Sequence, residues 1–234
     1  MGFYYMDYTY FVFILPALII TMYAQFKVKS TFEKYSRIPT VRNMTGAQSA
    51  DSVARFGGAS GVQIERVAGS LTDHFDPRDN TIRLSEDVYS ATSIAAVGVA
   101  AHEAGHAIQH AKGYFPNKVR AVLVPISSFG SNLGMPLVII GLILPIKYDF
   151  VVYLGIALFA LAVLFQLVTL PVEFNASMRA IRALDESGIL YPDELEGAKK
   201  VLKAAAMTYL AASFAAIMSL VRLLVIAGNR RSKD

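Results

Sequence analysis

Four stretches of the chain stay apolar for long enough to cross roughly 30 Å of bilayer hydrocarbon, which takes about 20 residues of helix. They are Tyr8 to Ala24, Ala121 to Ile146, Phe150 to Val172 and Met207 to Gly228. No Asp, Glu, Lys or Arg lies between Arg120 and Lys147, or from Phe150 through Val172. The fourth stretch carries Arg222 near its far end, where a long side chain can snorkel to the interface.

Between these stretches the pattern changes. Thr45-Gly46-Ala47 opens a helix with Ala50, Val53, Ala54 and Phe56 on one face, stopped by Gly57-Gly58. Val62 to Val67 reads as a strand, broken at Ala68-Gly69. Leu71 to Asp76 and Thr81 to Leu84 read as two short strands across the turn Pro77-Arg78-Asp79-Asn80, and either offers an open edge to an extended peptide. Ser85, followed by Glu86 and Asp87, has the form of a helix start. From Ser93 to Gly113 the chain reads as a helix, capped at Thr92 or Ser93, stopped at Gly113 and almost wholly apolar in its first half.

The expected fold is a mainly α membrane protein of about four transmembrane helices with a small α+β domain. Residues 1–24 form an anchor, 25–120 a cytoplasmic segment, 121–172 a transmembrane hairpin, 173–206 a second cytoplasmic segment, and 207–234 a last transmembrane helix with a basic tail. No Lys or Arg precedes the first run and no Ala-x-Ala site follows it, so it reads as a retained anchor and not a cleaved leader.

Composition agrees with that class. Of 234 residues 54% are hydrophobic and 17% charged, with a mean hydropathy of +0.44, too apolar for an ordinary soluble domain. Lys27, Lys29, Lys34, Arg37 and Arg42 follow the first run, and Arg179, Arg182, Lys199, Lys200 and Lys203 follow the third. Residues 1–7 carry no Lys or Arg, and the connector 146–150 carries only Lys147. Positive loops resist translocation, which places 25–120 and 173–206 in the cytoplasm of a multi-pass protein of the cytoplasmic membrane. Arg230, Arg231 and Lys233 in the tail run against this rule, which the earlier helices outweigh. The formal charge of +4 finds its counter-charge in anionic headgroups, so no nucleic acid is called for. The absence of cysteine excludes disulfides and thiolate zinc sites.

The chemistry lies in His102-Glu103-Ala104-Gly105-His106. Residues four apart share a helical face, so both imidazoles can address one metal ion, while Glu103 is turned by about 100° toward a metal-bound water. Zinc held by three protein groups lowers the pKa of such a water to roughly 7, and a glutamate can then take its proton as it attacks a peptide carbonyl. Three of the four histidines fall within nine residues of an otherwise apolar helix, where unpaired polar groups would be costly.

For the third ligand, Gln109 and Lys112 stand where a metzincin would need Gly and His. His110 lies two turns beyond His102, too far for one trio to converge, and suits packing or support behind the ligands. Glu173 directly follows the third apolar run, which the membrane hairpin returns to the same face, and completes a two-His-one-Glu set. The alternative for Glu173 is an ordinary interfacial carboxylate.

The segments Leu71 to Arg78, Leu84 to Tyr89, His102 to His110 and Glu173-Phe174-Asn175-Ala176-Ser177 together resemble the YugP-type bacterial membrane zinc metallopeptidases over nearly the whole chain. More distantly the chain is similar to HtpX-like membrane proteases, which pair H-E-x-x-H with a downstream E-x-x-x-D. That resemblance implies Zn2+ on His102, His106 and Glu173, a catalytic base at Glu103, a zincin-like domain of the gluzincin kind and a cytoplasmic active site. Ser177 stands where the HtpX pattern has Asp, so the carboxylate that would orient a ligating histidine is missing or supplied elsewhere. His74 is a candidate for hydrogen bonding to substrate or for a structural role in its turn, and Asn175 and Arg179 for holding substrate or, for Arg179, facing headgroups. The expected activity is endopeptidase action on peptide or membrane-protein substrates, with a membrane partner or a second copy of the chain as associates. The competing classes are a zinc-tied scaffold of little or no activity, which has no need of Glu103, and a transporter, which would need more ionisable residues in its spans than Arg222.

Overall fold

A computed structural model describes residues 8–231. Residues 1–7, which carry no Lys or Arg, and Lys233 of the tail lie outside the described residues. The elements run α1 (Leu15–Ser36), α2 (Gly46–Phe56), β1 (Gln63–Val67), β2 (His74–Asp76), β3 (Thr81–Ser85), α3 (Glu86–Tyr89), α4 (Ile94–Ala111), α5 (Phe115–Ile143), α6 (Phe150–Glu186) and α7 (Pro192–Arg231). Among the described residues, four helical stretches are long and apolar enough to cross a membrane, Tyr10–Ser36, Phe115–Ile143, Ile146–Glu186 and Pro192–Arg230. They extend past the apolar runs because nothing in the sequence breaks the helix at their polar ends.

The described residues divide into two compact units, one of residues 8–24, 118–170 and 208–231, the other of residues 25–117 and 171–207. In the former, α5 meets α6 along glycines: a Cβ at Gly130 would lie 2.4 Å from the Leu158 carbonyl oxygen, and one at Gly155 2.7 Å from that of Gly134. Small residues allow such backbone approach where lipid leaves no hydrophobic drive for helix association. Val138, Val152, Ile156, Leu223 and Ala227 form the buried cluster beside them. Arg222 does more than snorkel: its Nε donates to Thr9 Oγ1 at 3.2 Å and its guanidinium lies 5.6 Å from the Tyr10 ring centre. Arg230 pairs with Asp149 at 3.2 Å and donates to the carbonyls of Gly141 and Leu144, so one of the tail cations that oppose the charge rule is compensated locally.

In the other unit, α2 starts with a capping box in which Gln48 N–H donates to Thr45 Oγ1 at 3.2 Å and Thr45 N–H donates to Gln48 Oε1 at 2.9 Å. Ala50, Val53 and Ala54 are buried as their spacing predicts, but Phe56, in the last turn, is half exposed. The strand order is β1-β3-β2, with β1 parallel and β2 antiparallel to β3. The expected open edge at Thr81 to Leu84 is therefore corrected. β3 is paired on both sides and four of its five residues are buried, which leaves the edges to β1 and β2. Leu71 to Asp73 fall outside the strand, and Leu71 takes a left-handed φ of 59°.

Helix α4 is the centre of this unit. Ser93 caps it, its hydroxyl accepting from Ala96 N–H at 3.2 Å, and Gly113 ends it with φ of 62°. Its Ala and Gly residues are nearly all buried, and small side chains let neighbouring helices come close. A Cβ at Gly105 would lie 2.3 Å from the Ala176 carbonyl oxygen, so α6 runs in backbone contact with the middle of α4.

Candidate metal centre and active site

His102 and His106 are one turn apart on α4, and Glu173 and Ser177 are one turn apart on α6. The close approach at Gly105 and Ala176 brings the two pairs face to face. Glu173 Oε2 lies 3.3 Å from His102 Nε2 and 3.4 Å from His106 Nε2, with the two rings nearly perpendicular and 4.8 Å between centres. Their ligand atoms lie within 4.8 Å of one another, and together these residues could hold a metal ion.

The outer face of each ring shows what the inner face offers. His106 Nδ1 is 3.1 Å from the Oε1 of Gln109, and His102 Nδ1 is 3.1 Å from the Oγ of Ser177. The Gln109 oxygen can only accept, so His106 Nδ1 donates to it and His106 Nε2 presents a lone pair toward the carboxylate of Glu173, whereas the Ser177 hydroxyl leaves His102 free to take either form. A lone pair of His106 set against a carboxylate oxygen is a repulsive pair that a cation between them would relieve. Two imidazole nitrogens and one carboxylate oxygen are the protein ligands of a catalytic zinc site that keeps its fourth position open, so the donor set fits zinc.

Comparison with known proteins agrees. The family described as "Putative neutral zinc metallopeptidase" matches residues 10–228. The chain belongs to this zinc metallopeptidase family. It is 43% identical over 225 residues to "Putative membrane protease YugP" of Bacillus subtilis (strain 168), covering 96% of this chain and 99% of the relative. No solved structure matches the chain. With its four long apolar helices, this member of the family is a multi-pass membrane protein.

The other residues singled out from the sequence divide clearly. Glu103 is buried beside the histidines. Burial pushes its carboxyl up to about 7; the charge of His102 works against this, those of Glu173 and Asp73 add to it, and that of His74 opposes it. Ser177 stands behind His102 and offers it a hydroxyl in place of a carboxylate. Asn175 and Arg179 join one hydrogen-bonded chain: Arg179 Nε donates to Asn175 Oδ1 at 2.7 Å, and the guanidinium lies 5.7 Å from the Tyr114 ring centre. His110 stays out of the metal cluster and packs on Phe75 of β2, ring centres 5.7 Å apart. His74, exposed on β2, donates from Nδ1 to the Thr72 carbonyl at 2.7 Å.

Two residues were given no role in the site from the sequence. Gln109 is fully buried and links His106 to α6, donating to the Val172 carbonyl at 2.7 Å and to Asn175 Oδ1 at 3.0 Å. Its signal was a polar amide in a buried apolar helix, three residues after a ligand candidate. Gly105, inside the motif itself, is the other, and a glycine in mid-helix was its signal.

Proposed function

We propose that this chain is a membrane zinc endopeptidase of the gluzincin kind, with His102, His106 and Glu173 as ligands and Glu103 as general base. The observation that carries the reading is the meeting of two imidazoles from α4 with the buried carboxylate of α6, one residue away from a second buried carboxyl. A zinc ion bound there would polarise the scissile carbonyl and acidify a water. With zinc bound, Glu103 would accept a proton from a water attacking the carbonyl carbon and would return it to the departing amine as the C–N bond breaks. A carboxyl that burial holds near neutrality suits both transfers, because it can take and give a proton at working pH.

The Lys and Arg distribution supports placing residues 25–120 and 173–206, and with them the active site, on the cytoplasmic side as a small zincin-like domain. Substrates on this reading are membrane or membrane-adjacent proteins, bound in extended form. The test is purified protein in detergent: metal analysis should find one zinc per chain, and Glu103→Gln should keep the zinc while losing hydrolysis of a denatured protein substrate. A zinc-free native protein, or an undiminished Glu103→Gln variant, contradicts the reading. A deletion phenotype rescued by Glu103→Gln would point to a zinc-tied scaffold instead.

A further inference from the structure

We propose that Gln109 is a positioning residue that locks His106 in its metal-ready form, at the end of a hydrogen-bond chain that can run in only one direction. The inference rests on the metallopeptidase reading and adds a residue to its site. The chain has two unambiguous anchors. The Val172 carbonyl can only accept, so the Gln109 atom 2.7 Å from it is the amide nitrogen. Arg179 Nε can only donate, so the Asn175 atom 2.7 Å from it is Oδ1, which then also accepts the second Gln109 N–H at 3.0 Å. Both anchors turn the Gln109 nitrogen toward α6 and its Oε1 toward α4. There Oε1 accepts from Asn117 Nδ2 at 3.3 Å and faces His106 Nδ1 at 3.1 Å.

An oxygen that can only accept requires the proton on His106 Nδ1. The lone pair of Nε2 is thereby aimed at Glu173, 3.4 Å away. Gln109 is fully buried, and an amide turned the wrong way would set its oxygen against two acceptors, the Val172 carbonyl and Asn175 Oδ1, with no proton between them. His102 has no such lock, because the Ser177 hydroxyl behind it can donate as readily as accept. The two histidines of the motif therefore differ: His106 is set before any metal arrives, whereas His102 is free to hold its proton on Nε2 toward Glu173 and shift it to Nδ1 on metal binding.

The test uses the full chain in detergent with 15N-labelled histidine. In metal-free protein, the ring nitrogens of His106 should report a single Nδ1–H tautomer, and Gln109→Met should lose that purity. Zinc affinity, measured by competition with a chromophoric chelator, should fall roughly 10–100-fold in Gln109→Met, the usual cost of removing the group behind a ligand. Arg179→Met, at a partly exposed site, should shift affinity the same way by a smaller factor, since the Val172 carbonyl still orients the amide. A mixed or Nε2–H tautomer at His106 in the unsubstituted protein overturns the proposal. So does a folded Gln109→Met, or an Arg179→Met, with unchanged zinc affinity. Failure of the metallopeptidase reading is told apart because the unsubstituted protein would then bind no zinc, while the tautomer of metal-free His106 still decides the role of Gln109.

Discussion

Replacing Gly105 with alanine is the smallest change that separates the two halves of the metal centre. The added Cβ would lie 2.3 Å from the Ala176 carbonyl oxygen and 2.9 Å from its carbon, against an ordinary contact of 3.4 Å or more. The atoms it meets are helix backbone and cannot rotate away, so α4 and α6 must part by about 1 Å. Overpacking of that kind costs about 1–3 kcal/mol. In an exposed helix the same substitution would stabilise by up to about 1 kcal/mol, so the two effects oppose and the sign decides between them. His102 and His106 flank Gly105 on one helix and Glu173 sits on the other, so the gap opens within the proposed ligand set. Such sites tolerate about 0.5 Å, and disturbing what supports a metal ligand costs roughly 10–100-fold in metal affinity. Gly105→Ala should therefore lower zinc affinity roughly 10–100-fold and reduce the melting temperature by roughly 2–4 °C per kcal/mol lost. Chelator competition and differential scanning fluorimetry in detergent measure both. Unchanged zinc affinity with an equal or higher melting temperature would refute the argument from close approach.

Glu173→Ala should abolish zinc retention on a desalting column, whereas His110→Ala, which removes only a ring packed on Phe75, should retain zinc as the unsubstituted protein does. Equal retention by both would remove Glu173 from the ligand set. Stripping the metal with a chelator should lower the melting temperature and re-adding zinc should restore it, since saturation at 100 times Kd contributes about 2.7 kcal/mol; an unchanged transition would mean the folded chain holds no zinc. Burial pushes the Asp73 carboxyl above its ordinary 3.8, although Ser85 N–H and hydroxyl donate to it. A raised acid contributes stability that is complete below the ordinary value and lost as pH rises through the raised one. Stability of Asp73→Asn should accordingly fall less than that of the unsubstituted protein as pH rises from about 4, and a pH-independent difference between them would exclude this.

Much of the site was legible because its determinants are local. The four-residue spacing of His102 and His106 depends only on helical pitch, and the helix is marked by Ser93 at one end and Gly113 at the other. Glu173 was reachable because the apolar runs between it and the motif fix how the chain returns. The sheet order was not legible. Periodicity identified three strands but cannot tell which lies in the middle, and the parallel pairing of β1 with β3 depends on contacts across sequence. Gln109 was passed over because an amide has no chemistry of its own until its partners are known.

The sequence by itself determined the class of the protein, its apolar helices, the histidine pair and the nearby acid, since each follows from hydrophobicity or from spacing along one helix. Only the tertiary structure decided that Gly105 admits the backbone of α6, that Ser177 stands behind His102, and that Val172 and Arg179 orient Gln109 toward His106. Those are relations between atoms 63 to 75 positions apart, as the separations of the Gln109–Val172 and His102–Ser177 pairs show. No local preference encodes them, because they arise only where packing brings two helices together.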